Sequence, residues 1–283
     1  MHIAVLGTGA IGSALAFCLA QAGHTVTAIA RGARLAELTR DNAIVLASGA
    51  RAEVTVAPAL DPETAFDLVI VTVIAADAGA VLPALSASRA THVMFMFNTF
   101  DGLERLREAV GEARCAFGFP AIIARLDDGK LTLSVHSVGQ VTTVDAPRWA
   151  ALFCDAGIPT QHHPDMPSWL RTHVAFMVPI MLAGLHVSAQ KAGLTWPHAV
   201  TLADAMDEGF CTVRALGHRI TPSAMTAVAA LPTKLKAALL WSLSRTPVLR
   251  NAGIAGPREA RSLIDAIEKL APGQTPSLQR ARP

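Results

Sequence analysis

Hydrophobic positions in the first half of the chain fall into short runs separated by helical patterns. His2-Ile3-Ala4-Val5-Leu6 is a brief apolar run of the kind a buried strand makes. Ile11, Leu15, Ala16, Leu19 and Ala20 then recur at helical spacing, and Gly23 is placed to end that helix. Residues 25–30 read as a second strand, with helical signals at 35–40. The segments 44–46 and 54–56 look like a small pair of strands. Residues 66–73 form a near-continuous apolar run, as in a parallel strand buried on both faces, and a helix is expected at 76–85. Residues 92–97 are the next buried strand, and 103–110 are amphipathic and helical. Strand–helix alternation of this kind predicts an α/β fold with a Rossmann-type, doubly wound parallel sheet.

From Cys115 the period changes to two. Segments 116–124, 131–136 and 140–144 alternate, and Asp127-Asp128-Gly129-Lys130 is a turn between two of them, so an antiparallel extension of the sheet is expected. A helix at 149–154 and a short strand at 158–160 close this part. The polar, proline-rich Gln161-His162-His163-Pro164-Asp165-Met166-Pro167 reads as a hinge. Beyond it the pattern is helical at about 168–190, 197–217, 222–229, 232–244 and 256–270. The predicted organisation is a Rossmann domain over 1–163, an all-helical domain over 168–270 and a frayed tail over 271–283.

The chemistry begins at Gly7-Thr8-Gly9-Ala10-Ile11-Gly12, a G-x-G-x-x-G placed between a strand and a helix. The first glycine allows the tight turn, the second lets a pyrophosphate approach the backbone, and the third brings helix and sheet together. Free N–H groups of Ala10 and Ile11 at the helix start would face the phosphates. A glycine turn in some other α/β protein is the plain alternative. NAD sites place an acid about 20 residues beyond the motif. Here the second strand runs into Arg31, with Arg34 close by and no acid before Glu37. Arginine suits a 2′-phosphate, so NADP(H) is expected over NAD(H); a solvated loop charge is the alternative. Thr72 and Asn98 follow strand ends as Gly7 and Arg31 do, and ligands bind beyond such ends. Asn98 is thereby a site candidate, although an Asn before Asp-Gly also forms turns.

Composition adds exclusions. Of the 283 residues, 52% are hydrophobic and 16% charged, enough for a large core. A net charge of +2 without a basic run gives no sign of a nucleic-acid partner. Cys18, Cys115, Cys154 and Cys211 are dispersed and form no C-x-x-C, and no leader precedes the first strand, so a reduced, cytoplasmic protein is expected. The apolar stretch 174–185 is too short for a bilayer and contains Pro179, so it reads as a core helix rather than a membrane span. His162, His163 and Asp165 fit no standard ligand set, and no metal is expected.

The residues 2–13, then Ala22-Gly23-His24-Thr25-Val26 and Ile29-Ala30-Arg31-Gly32, resemble the ketopantoate reductase (2-dehydropantoate 2-reductase) family. Asn98 to Gly102 stands where that family has an Asn-Gly loop. Gly129-Lys130-Leu131, Ala156-Gly157-Ile158-Pro159, Trp169-Leu170-Arg171 and Glu208, nine residues before Gly217, continue the likeness over about 1–220. The resemblance implies a Rossmann domain and a helical domain with substrate in the cleft between them. It also implies NADPH-dependent reduction of a 2-keto acid, cofactor contacts from the glycines and Arg31, and Asn98 near nicotinamide and substrate.

The chain also departs from that family. Arg171 stands where the family has its catalytic lysine; arginine stays charged and is a poor proton donor. Ala175 replaces an asparagine, Ile74 replaces a lysine near the cofactor phosphate, and the family's substrate-gripping Thr-Glu-Ile-Asp segment is not recognisable in 231–256. Candidates for the catalytic set are therefore Asn98, Arg171, His173 and Glu208, with His186 or a water as other proton sources. Two residues along a helix turn the side chain by about 200°, so His173 and Arg171 do not share a face. The expected function is an NADP(H)-dependent oxidoreductase on a C=O or C=N of a small molecule other than ketopantoate. A catalytically silent NADP(H) binder and a ketopantoate reductase with a rearranged site are the alternatives, and the apolar second domain makes a homodimer an expectation.

Overall fold

The computed structural model describes residues 1–135, 141–190, 192–246, 249 and 256–283. The chain divides into two compact units. The first holds Met1–Phe97 and Leu103–Met166, and the second holds Asn98–Gly102 and Pro167–Pro283.

The first unit is built on an eight-stranded sheet in the order β12-β11-β8-β7-β6-β1-β2-β5. The strands β1 (His2–Leu6), β2 (Thr25–Ile29), β6 (Leu68–Val71) and β7 (His92–Met96) are mutually parallel where they pair. Their side chains are almost wholly buried because helices cover both faces. The edge strand β5 (Thr55–Ala57) pairs in parallel with β2, and β8 (Cys115–Phe119) with β7. β11 (Thr142–Val144) runs antiparallel to β8, and β12 (Thr160–His162) parallel to β11. The helices are α1 (Ala10–Gln21), α2 (Gly32–Asp41), α3 (Ala75–Ala87), α4 (Glu104–Val110) and α5 (Pro147–Asp155).

Three sequence expectations change here. Residues 54–56 do not pair with 44–46. Instead β3 (Ala43–Val45) pairs with β4 (Arg51–Glu53), and β5 turns away to extend the main sheet. Only part of the expected antiparallel extension joins that sheet: β9 (Ile123–Asp127) and β10 (Lys130–Ser134) form a separate hairpin. Its turn has Asp128 and Gly129 at φ 46° and 76°, the two-positive-φ hairpin turn that Asp-Gly favours. His136 and Gln140, expected in flanking strands, lie outside the described residues. The hinge is also shorter than its composition suggested, since Gln161 and His162 are in β12 and Met166 opens a helix.

The second unit packs α6 (Met166–Gln190), α7 (Trp196–Ala215), α8 (Ser223–Ala230), α9 (Thr233–Leu243), α10 (Gly256–Leu270) and α11 (Pro276–Arg280). α6 is long and apolar enough to cross a membrane by length and composition alone. Its Val174, Val178, Met181 and Leu182 are buried in the unit's core, which accounts for their apolarity. Gly209 of α7 lets Ala175 of α6 approach, since a Cβ there would lie 3.0 Å from the alanine methyl. Buried Lys236 of α9 pairs with Asp207 of α7, and Thr233 Oγ1 donates to the same carboxylate at 2.7 Å. Phe100 is fully buried in this core and anchors the segment Asn98–Gly102 to the unit.

The tail expected to fray does not. Ser277 and Leu278 are buried, and their N–H groups donate to the Glu208 carboxylate at 2.9–3.0 Å. The orphan donors at the start of α11 thus find a charged acceptor from a helix far away in sequence.

Candidate active site

The glycine loop sits at the point where the sheet order reverses, between β1 and β6, which is where such sheets bind ligands. Gly7 has φ 100°, a conformation that a side chain resists, and a Cβ there would press on Val73 at 2.9 Å. Thr72, directly after β6, donates through Oγ1 to Gly7 O at 2.8 Å and so ties the two central strands together at the loop. A Cβ on Gly12 would lie 2.4 Å from Gly7 O and 2.6 Å from Thr72 Oγ1, so the third glycine is a packing requirement. Gly9 is different: a Cβ there meets nothing within 4 Å, and the residue is exposed. Space above Gly9 is what a pyrophosphate needs.

α1 starts at Ala10 with no side-chain cap and no acid in its first turn, which leaves N–H groups and a positive dipole end for an anion. The side chains of Thr8 and Ile11 are engaged within the unit. Thr8 Oγ1 is buried and donates to Ile29 O at 3.1 Å, while Ile11 packs against the core. These residues can serve an anion through their backbones. Arg31 follows β2 and caps α2 in an extended conformation; its side chain is exposed and has no hydrogen bond or ion pair with the described residues. These features fit a dinucleotide: an open loop, a free helix end and an unpaired guanidinium at the strand tip.

In the second unit the structure brings Asn98 to Glu259, a residue outside the motifs that mark the other candidates. Asn98 Nδ2 donates to Glu259 Oε1 at 2.8 Å. Glu259 lies in the first turn of α10, and burial pushes its carboxyl above the usual range, against a smaller opposing effect of the Asn98 bond. Asn98 Oδ1 is buried and has no hydrogen-bond partner among the described residues, so it can take a donor from a ligand. A signal for Glu259 exists in the sequence: it lies four residues before Leu263, on the stripe of Ala260, Leu263, Ile264 and Ile267 that α10 buries. A carboxylate aligned with an apolar stripe is costly unless it has a task.

The other candidates have different partners. Arg171 is buried on α6 and donates through Nη1 to Pro167 O at 3.2 Å. His173 is also buried and stacks on Trp169, one helical turn earlier, with ring centroids 5.0 Å apart and planes 6° apart. Burial lowers its pKa to about 3, so it holds no acidic imidazolium proton at neutral pH. Glu208 is a helix latch rather than a free acid, because its oxygens accept the α11 amides. His186 meets His198 edge to face at 4.3 Å. No group of three or more metal-ligating side chains occurs among the described residues.

His173 gives a stability prediction. Its folded pKa is depressed from 6.5 to about 3, so the unfolded chain takes up a proton first as pH falls. Stability from this group is complete above about 6.5 and is lost toward 3, at a limiting slope of about 1.4 kcal/mol per pH unit. His173→Phe should flatten the decline of the urea midpoint between neutral pH and pH about 5. An unchanged slope would mean that the imidazole ionises inside the folded chain.

The reversed sheet order, the open glycine loop and the separate helical unit define a two-unit protein of the dinucleotide-binding class. A sequence profile described as ketopantoate reductase PanE/ApbA matches residues 3–145, and the chain belongs to that family of nicotinamide-dependent enzymes. No curated protein matches the sequence. Among solved structures, the ternary complex of D-mandelate dehydrogenase with NADH and anilino(oxo)acetate gives a TM-score of 0.74 at 18% identity, covering 100% of this chain and 96% of that one. 2-Dehydropantoate 2-reductase from Porphyromonas gingivalis gives 0.66 at 19%, covering 99% and 97%. A dimeric ketopantoate reductase from Staphylococcus aureus gives 0.67 at 14%, covering 100% and 98%. At such identities the likeness is one of fold.

Proposed function

We propose that the protein is an NADP(H)-dependent oxidoreductase that moves hydride to or from a C=O, or a C=N, of a small molecule other than ketopantoate. The Asn98–Glu259 pair carries the reading: a part-buried carboxyl with a raised pKa, hydrogen-bonded by a carboxamide, in a chain whose other unit keeps an intact dinucleotide loop. Bound nicotinamide supplies or accepts the hydride. The backbone amides of the glycine loop and the start of α1 hold the pyrophosphate, and Arg31 faces the 2′-phosphate. Asn98 Nδ2 occupies Glu259 Oε1, which leaves Oε2 to carry the proton that a reduced carbonyl oxygen requires. Arg171 contributes a fixed positive charge toward an oxyanion or a substrate carboxylate. The fold shared with D-mandelate dehydrogenase, solved with NADH and anilino(oxo)acetate, supports 2-oxo acids as the first compounds to test. The arginine in place of the family's lysine is the reason to set ketopantoate aside. It also keeps a silent NADP(H) binder as the competing reading.

Titration with NADPH and NADH, followed by turnover assays on 2-keto acids, ketones and imines, tests the proposal. Tight NADPH binding with no turnover across the panel would favour the silent binder, and ordinary turnover of ketopantoate would sink the claim of a changed substrate. Arg31→Ala should weaken NADPH by roughly ten- to a hundredfold, the worth of one or two charge-assisted contacts, with little effect on NADH. Equal losses for both nucleotides would remove the argument for NADP(H).

A further inference from the structure

Arg34 is only a neighbour of Arg31 in the sequence, yet the structure gives it a different place. Its side chain is 15% exposed and reaches three elements. Nε donates to Thr8 O at 3.2 Å and Nη2 to Ser13 Oγ at 3.0 Å, both at the glycine loop and the start of α1. Nη1 donates to Glu37 Oε2 at 2.8 Å on its own helix, and to Gly129 O at 3.1 Å in the β9–β10 turn. Ser13 Oγ in turn donates to Thr8 O at 3.0 Å, so the same carbonyl is held twice.

The carbonyl of Thr8 matters because it belongs to the peptide leading into Gly9, where the loop is open. Turned toward a pyrophosphate, that oxygen would present a negative dipole end to an anion. Fixed by Arg34 and Ser13, it points into the protein instead. The far anchor is Gly129 O. The Glu37 carboxylate wedges against the same turn, 3.2 Å from where a Gly129 Cβ would lie. The β9–β10 hairpin, which is outside the main sheet, is thereby braced against the loop through one planar guanidinium.

We propose that Arg34 is a positioning residue for the dinucleotide loop: it sets affinity for the pyrophosphate, which NADH and NADPH share, by holding the Thr8 carbonyl against the β9–β10 turn. The inference rests on the reading that the first unit binds a nicotinamide dinucleotide. It predicts a signature different from that of Arg31. Lysine at position 34 keeps the charge but cannot bridge Thr8, Ser13 and Gly129 together.

The test is the dissociation constant of NADPH and of NADH, by nucleotide fluorescence, for the wild type, Arg34→Lys and Arg34→Gln, with thermal unfolding of each. Both variants should weaken both nucleotides by about tenfold or more, leaving their ratio unchanged. Wild-type affinity in Arg34→Lys would overturn the inference, because charge alone would then suffice. A loss confined to NADPH would overturn it too, by making Arg34 a 2′-phosphate contact. So would a lowered unfolding temperature with unchanged affinities. Failure of the wild type to bind either nucleotide would instead overturn the functional reading, and this inference with it.

Discussion

Replacing Glu259 by glutamine should lower kcat by about 10²- to 10⁴-fold, the usual worth of a positioned general acid, while leaving NADPH affinity close to that of the wild type. The substitution is isosteric, and an amide oxygen still accepts the bond from Asn98 Nδ2. What disappears is the titratable proton. The raised pKa means that the protonated acid persists to higher pH than in a free glutamate. In the reductive direction the rate should therefore fall as pH rises through that pKa, and the falling limb should be absent in Glu259→Gln. Stability should move the other way. A part-buried carboxyl whose pKa is raised by desolvation destabilises the folded chain once it ionises, so the glutamine variant should be at least as stable at neutral pH. Loss of turnover with gain or retention of stability separates a catalytic role from a structural one. An unchanged kcat and pH profile would remove Glu259 from the mechanism.

Gly12→Ala should abolish measurable nucleotide binding and lower the unfolding temperature of the protein. The new methyl would sit 2.4 Å from Gly7 O and 2.6 Å from Thr72 Oγ1. Neither neighbour can yield cheaply: Gly7 is held at φ 100°, and Thr72 is hydrogen-bonded to the same carbonyl. Overpacking of this kind costs about 1–3 kcal/mol, or a few degrees in a chain of this size. Gly9→Ala is the informative partner. Its methyl meets nothing within 4 Å, so unfolding should be unchanged while NADPH binding weakens, because the obstructed space belongs to the ligand. Thermal unfolding beside fluorescence titration distinguishes the two. Equal behaviour of both variants would contradict the division of labour within the loop.

What could be read in the sequence was what neighbouring residues decide. The strand–glycine–helix turn, the buried parallel strands and the second unit's helices are written in local periodicity, and the Asp-Gly turn in backbone preference. Long-range contacts were not readable. Residues 54–56 looked like the return strand of 44–46 because a hairpin is the nearest partner, but β5 is chosen by the free edge of β2. The tail at 271–283 lacks periodicity, and its order comes from Glu208. The same carboxylate is a candidate acid by sequence, and the fold fills its oxygens with backbone donors. Glu259 escaped because its partner, Asn98, is 161 residues away and no local pattern links them. Arg34 escaped for a similar reason: its role depends on Thr8 and Gly129, which only the fold assembles.

The five residues Asn98–Gly102 give the protein a modularity unlike that of two beads on a string. They leave the first unit between Phe97 and Leu103 and belong to the helical unit, carrying Asn98 to Glu259 and Phe100 into the second core. A helical unit transplanted from a relative at the single junction after Met166 would arrive without its own loop. It would then have to accept the asparagine and the aromatic anchor of its host. Exchange of the helical unit by recombination thus needs two cuts in the first half of the gene as well as one near its middle, and selection on the helical unit reaches back into the sequence of the sheet unit.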